Sequence, residues 1–268
     1  MIKLITIDLD GTLLNNEMEV SVQNLEALQY AKEKGVHVAI ATGRPLVFTK
    51  AYMKQLGLDT YILYNGAQII HKNQDLVPST YLSKDIIKTT INAIEKLHSS
   101  YMLHGQDTVF YTPSKRVEYL KMMSQKIKEK NLRPKFEIVE DLDLILEEHD
   151  FNKVLVVEQD PEKYNVVHRY LTETLSNVEI TRSSSFYIEV LPKGIAKGNA
   201  VKILAEHLGI KQEDIMAIGD QENDLSMITY AGIGVAMGNA TDLVKNTANY
   251  VTFTNNENGV SKAIKNFL

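Results

Sequence analysis

Short apolar runs alternate with amphipathic stretches along the first eighty residues. Ile2 to Ile7 is apolar and β-branched apart from Lys3 and Thr6, which predicts a buried strand with acids at its carboxyl end. Ser21 then precedes apolar positions at Val22, Leu25, Leu28 and Ala31, the spacing of a capped helix that Gly35 stops. Val36 to Ala41 predicts a second buried strand, Pro45 opens another helix from its first turn, and Tyr61 to Tyr64 predicts a third strand. A β-α-β-α-β order with short loops predicts a parallel sheet with helices on both faces, a doubly wound, Rossmann-like α/β core.

The same rhythm returns near the other end. Asn199 to Leu208 has helical spacing with Gly209 as its stop, and Ile215 to Ile218 predicts a buried strand. A helix from about Asn223, a strand at Ile233 to Ala236 and a strand at Tyr250 to Phe253 follow. Between the two halves, from Leu82 to Glu189, strands and longer helices alternate irregularly. Pro78-Ser79-Thr80 and Pro192-Lys193-Gly194 have the composition of linkers into and out of this block. The division expected is a core of residues 1–81 plus 190–268 and an inserted α/β domain of residues 82–189.

At 268 residues the chain is long enough for one or two domains at ~150 residues each. Its 29 basic and 34 acidic residues give a formal charge of −5, which argues against a nucleic-acid partner. The absence of cysteine excludes disulfides, thiolate metal sites and a cysteine nucleophile. No run approaches the ~20 apolar residues of a membrane span. Asp8 arrives before a signal-peptide core can form, so a cytoplasmic protein is expected.

The strongest candidate chemistry is Asp8-Leu9-Asp10-Gly11-Thr12. Side chains two apart on extended backbone share a face, so Asp8 and Asp10 can enter one site. Two close carboxylates repel, which calls for a divalent cation or a proton between them. A carboxylate nucleophile with a second carboxyl as acid/base is one chemistry that needs this pair; the plain alternative is a strand ending in an Asp-Gly turn. Ala41-Thr42-Gly43-Arg44-Pro45 runs from a strand end into a helix start, where free N–H groups can cradle an anion. Lys197 opens a helix against the macrodipole and, taken alone, reads as a solvated lysine. Gly219-Asp220-Gln221-Glu222-Asn223-Asp224 brings three acids together after a buried strand, hard oxygen ligands suited to Mg2+. The basic run with Lys121, Lys126, Lys128, Lys130, Arg133 and Lys135 reads as a solvated face.

Together these pieces resemble the haloacid dehalogenase superfamily, specifically its Cof-type branch of bacterial sugar phosphatases. The resemblance spans the whole chain: DLDGT from Asp8, TGRP from Thr42, YNGA from Tyr64 to Ala67, the lysine of KGNA, GDQENDLSM from Gly219 and GVAMGNA from Gly234. It implies an inserted α/β cap between TGRP and Lys197 and a Mg2+-dependent phosphatase working through an aspartyl-phosphate. Asp8 would be the nucleophile and a metal ligand, Asp10 the general acid/base with its carbonyl on the metal, and Asp220 the remaining metal ligand. Thr42, Lys197 and Asn223 would hold the phosphoryl group with the N–H groups of Leu9 and Gly43, and Asp224 would support Lys197 or the metal's water shell. The implied partner is a small phosphorylated molecule, sugar phosphates above all. The alternatives are a phosphomutase sharing the first half-reaction and a non-catalytic sugar-phosphate sensor.

Overall fold

The computed structural model describes residues 1–105, 107–125, 127, 129 and 132–268, so Lys126, Lys128 and Lys130 of the basic run lie outside the described residues. The chain divides into two compact units. The first comprises Met1–Gly43, Leu56–Pro78 and Ile195–Leu268, and the second Arg44–Gln55 and Ser79–Gly194. The second unit thus begins and ends a few residues outside the expected 82–189, and it also takes in a helix from the amino-terminal third of the chain.

In chain order, the elements begin with β1 (Leu4–Ile7), α1 (Val22–Glu33), β2 (His37–Ala41), α2 (Leu46–Leu56), β3 (Thr60–Leu63), β4 (Gln68–His71) and β5 (Gln74–Val77). There follow α3 (Lys84–Lys96), β6 (Ser100–His104), β7 (Thr108–Tyr111), α4 (Lys115–Gln125), β8 (Lys135–Ile138), α5 (Leu142–Glu148), β9 (Lys153–Val157), α6 (Pro161–Thr174), β10 (Val178–Ser184) and β11 (Tyr187–Pro192). The last stretch holds α7 (Lys197–Leu208), β12 (Ile215–Gly219), α8 (Leu225–Tyr230), β13 (Ile233–Ala236), α9 (Asp242–Thr247), β14 (Tyr250–Val251) and α10 (Gly259–Phe267).

The first unit is built on an eight-stranded sheet of order β14-β13-β12-β1-β2-β3-β4-β5. Its first six strands are parallel, as the alternating pattern predicts. The antiparallel β3-β4-β5 edge was not predicted, because Gln68, His71, Gln74 and Asp75 give it too little apolar alternation. The last strand is also shorter than expected, leaving Phe253 half exposed. Capping follows the sequence: the Ser21 hydroxyl accepts the Asn24 N–H at the start of α1, and Gly209 ends α7 at φ +66°. Leu4, Ala39, Ile62, Ile215 and Ala217 pack beneath Val201 and Leu204 of α7 and Met227 of α8. Ile5, Ile7, Ile40 and Ile218 alternate to the other side and are fully buried. There α1 and α10 are tied by the Ser261 N–H donating to Asn24 Oδ1.

The second unit has a six-stranded sheet of order β10-β11-β9-β6-β7-β8, antiparallel except for β7 with β8. Tyr101, Leu103, Val154, Val156, Ile188 and Val190 pack on one face against α3, α5 and α6. Met102, Val109, Tyr111, Leu155 and Val157 form the other cluster with Val117 of α4. Phe48 of α2 packs onto this second cluster, which is why that helix belongs to this unit. The same sheet buries an ion pair, Lys153 Nζ to Glu189 Oε2 at 2.8 Å.

Candidate active site

Four parallel neighbours, β12, β1, β2 and β3, carry the candidate residues at their carboxyl ends. Ile7 is in register with Ile218 on one side and Ile40 on the other, and Ala41 with Ile62. The chain therefore leaves the sheet side by side at Asp220, Asp8, Thr42 and Tyr64-Asn65. This edge of an open α/β sheet is where ligands bind, because the loops part there.

β1 stops at Ile7, and Asp8 leaves it with extended dihedrals into a kinked turn over Leu9–Leu13. Asp10 interrupts that turn at φ −82°, ψ 120°, and Gly11 at φ +76°. Asp8 and Asp10 are therefore brought together by a turn and not by strand alternation. Gly11 is needed twice: its φ lies in the left-handed region, and a Cβ there would come within 2.5 Å of Asp220 Oδ2.

Lys197 is fully buried, which corrects its reading as a solvated lysine. Its ammonium donates to Asp8 Oδ1 at 2.6 Å and to Asp224 Oδ1 at 2.6 Å. Ammonium burial is costly without such partners, so the two carboxylates account for its position at the helix start. They hold its pKa above the ordinary lysine value against the opposing effect of desolvation. The other oxygen of Asp224 accepts the N–H groups of Asp220 and Gln221, so this residue both closes the loop and supports Lys197. The second oxygen of Asp8 takes no hydrogen bond among the described residues.

Asp220 is held by the Thr12 hydroxyl at 3.0 Å and the Gln221 side-chain amide at 3.1 Å. Burial, followed by the Asp224 charge, pushes its pKa up to about 7. Burial also raises the Asp8 carboxyl well above its usual range; Lys197 opposes this, and Asp224, Asp220 and Asp10 add to it. The Lys197 ammonium thus contacts two of these carboxylates, and Asp220 and Asp10 stand close enough to act on Asp8. Asp8, Asp220 and Asp224 each offer an oxygen within 4.8 Å of the others, a cluster that could hold a metal ion. This excess of buried negative charge in all-oxygen donors fits Mg2+.

Thr42 is fully buried at the end of β2, next to the half-buried Gly43, and Leu9 is buried beside Asp8. Asn223 lies in a short turn, Glu222–Asp224, just before α8, and the helix begins two residues later than expected. Its side-chain amide donates to Asn65 Oδ1 at 3.0 Å. Asn65 belongs to YNGA, a motif legible in the sequence to which no role had been given; its asparagine between a strand end and a glycine was the available signal.

Residues 5–264 match the family model for haloacid dehalogenase-like hydrolases. The chain is 37% identical over 268 residues to a 5-amino-6-(5-phospho-D-ribitylamino)uracil phosphatase of Bacillus subtilis (strain 168), covering 100% of this chain and 96% of that one. It superposes on a haloacid dehalogenase-like hydrolase from B. subtilis with TM-score 0.87 and 29% identity, each chain covered fully. A sugar phosphatase of HAD subclass IIB gives TM-score 0.82 and 27% identity, covering 99% of this chain and 98% of that one.

Proposed function

Because this chain belongs to the haloacid dehalogenase-like hydrolases and is a phosphomonoesterase of that family, we propose that it is a Mg2+-dependent phosphatase of small phosphomonoesters, sugar phosphates and related polyol phosphates above all. The observation that carries this reading is the charge balance at the sheet edge, one buried ammonium among Asp8, Asp10, Asp220 and Asp224. In this reading residues 82–189 form the cap of the catalytic core.

Asp8 is the nucleophile: the carboxylate oxygen that accepts no hydrogen bond among the described residues attacks phosphorus, while Lys197 holds the other. Asp10 donates a proton to the departing alkoxide, leaving an aspartyl-phosphate on Asp8. It then takes a proton from the water that attacks this phosphorus, releasing inorganic phosphate and restoring Asp8. Thr42, Lys197, Asn223 and the N–H groups of Leu9 and Gly43 hold the phosphoryl oxygens, since such transfer depends mainly on positioning and charge neutralisation. Asp8, Asp220 and the Asp10 carbonyl would hold Mg2+, which would supply the charge that lets a carboxylate approach a phosphate dianion.

The test is phosphate release from a panel of sugar phosphates that includes 5-amino-6-(5-phospho-D-ribitylamino)uracil, on which the B. subtilis relative is named to act. Excess chelator should abolish release and Mg2+ restore it, with Ca2+ a poor substitute because it takes more ligands at longer distances. Full activity in chelator would count against the metal site, and an isomeric sugar phosphate in place of inorganic phosphate would favour a mutase.

A further inference from the structure

Tyr64, Asn65 and Gly66 follow β3 with three successive positive φ values, +51°, +57° and +110°. Left-handed backbone is disfavoured for a bulky L residue such as tyrosine, and a run of it persists only where the surroundings impose it. Here both side chains are almost fully buried. The loop touches three of the segments that present the phosphoryl-holding residues. The Asn65 N–H donates to the Thr42 carbonyl at 3.0 Å, and Asn65 Oδ1 accepts from Asn223 Nδ2 at 3.0 Å. Gly66 lies so close to the start of α7 that a Cβ would sit 2.8 Å from the Ala196 carbonyl, one residue before Lys197.

We infer that Asn65 is a positioning residue that fixes the Asn223 amide with its NH2 group as the donor for the phosphoryl group, an inference resting on the phosphatase reading above. An asparagine amide presents a carbonyl on one side and two N–H groups on the other. Commitment of one N–H to Asn65 sets which way round the group lies and leaves its second N–H for an anionic oxygen. Without the acceptor on Asn65 the amide is free to turn over and offer its carbonyl, which repels phosphate. The left-handed backbone brings that acceptor to Asn223 while the same residue's N–H anchors the end of β2.

The experiment is a double-mutant cycle on p-nitrophenyl phosphate with Asn65→Gly, Asn223→Ala and the pair. Glycine tolerates the left-handed φ and keeps the N–H to Thr42, so the change is confined to the Asn65 side chain. Asn65→Ala, which adds backbone strain, and thermal melting of every variant identify losses that come from folding. Asn65→Gly should melt near wild type and lower kcat/KM by about tenfold, the worth of one hydrogen bond to a charged group. The inhibition constant of inorganic phosphate should rise by a similar factor. In the Asn223→Ala background the same change should cost less than about twofold, since the two residues act as one unit. Losses that multiply in the pair, or an Asn65→Gly protein with wild-type kinetics, would overturn the inference while leaving the phosphatase reading intact. Wild-type protein inert on every phosphomonoester would overturn that reading and the inference with it.

Discussion

Each unit buries one lysine among the described residues, and the two have different carboxylate surroundings. In the first, Lys197 contacts two carboxylates, and two more stand close enough to raise the Asp8 pKa. In the second, Lys153 is paired with Glu189. A balanced pair can be a scaffold, whereas surplus negative charge has to be offset by a proton, a cation or an incoming group. Burial alone therefore does not mark a functional site; unresolved charge does.

The sharpest break in this contrast is Asp8→Asn. It removes the nucleophile and one surplus charge together, so turnover should fall by more than about a thousandfold while the melting temperature holds or rises. A variant that keeps within tenfold of wild-type turnover would mean that another group attacks phosphorus.

Asp10→Asn should have a smaller and substrate-dependent effect. A sugar alkoxide needs the proton this residue supplies, whereas p-nitrophenolate leaves largely unaided. Phosphoenzyme formation should therefore suffer far more with the sugar phosphate. With the aryl ester, rapid quench should show a burst of nitrophenol and a labelled Asp8. Equal losses without a burst would reduce Asp10 to holding the metal.

In the second unit, Lys153→Met should cost about 3–5 kcal/mol in urea denaturation, because it deprives buried Glu189 of its ammonium. Adding Glu189→Leu should recover most of that loss. A double variant as unstable as the single one would show that the pair is more than a balanced scaffold.

The smallest effect concerns His104, which is buried on β6 with no hydrogen bond to either ring nitrogen among the described residues. Burial, then the charge of Lys153, lowers its pKa well below the ordinary value. The unfolded chain therefore binds a proton below pH ~6.5 that the folded one refuses, and stability should fall with pH there by at most about 1.4 kcal/mol per unit. His104→Leu should flatten the melting profile between pH 7.5 and 5.5 relative to wild type. An unchanged slope would mean that this imidazole is protonated in the fold.

The parallel strands were readable because both of their faces are covered, so continuous apolar runs name them. Asp8, Asp10 and Asp220 stood out as candidates because each lies within three residues of the end of such a run. Lys197 was not legible by itself: its partners lie 189 residues before it and 27 after it, and a lysine at a helix start gives no sign of either. Asn65 was missed for a similar reason, since its acceptor role depends on an asparagine 158 residues away. The β4–β5 hairpin escaped because its polar edge lacks alternation, and α2 could be assigned to the second unit only from the packing of Phe48.

The central position of β1 also sets a timetable. It pairs with β2, the next strand in the chain, but its other neighbour, β12, is made only after the whole of the second unit. At ribosomal speeds of about 5–20 residues per second, the 189 residues from Asp8 to Lys197 take on the order of 10–40 s to synthesise. For that interval the nascent chain carries Asp8 without the ammonium that pairs with it. A ribosome stalled before Asp220 therefore holds β1 and β2 without β12, and without the carboxylate that stands beside Asp8.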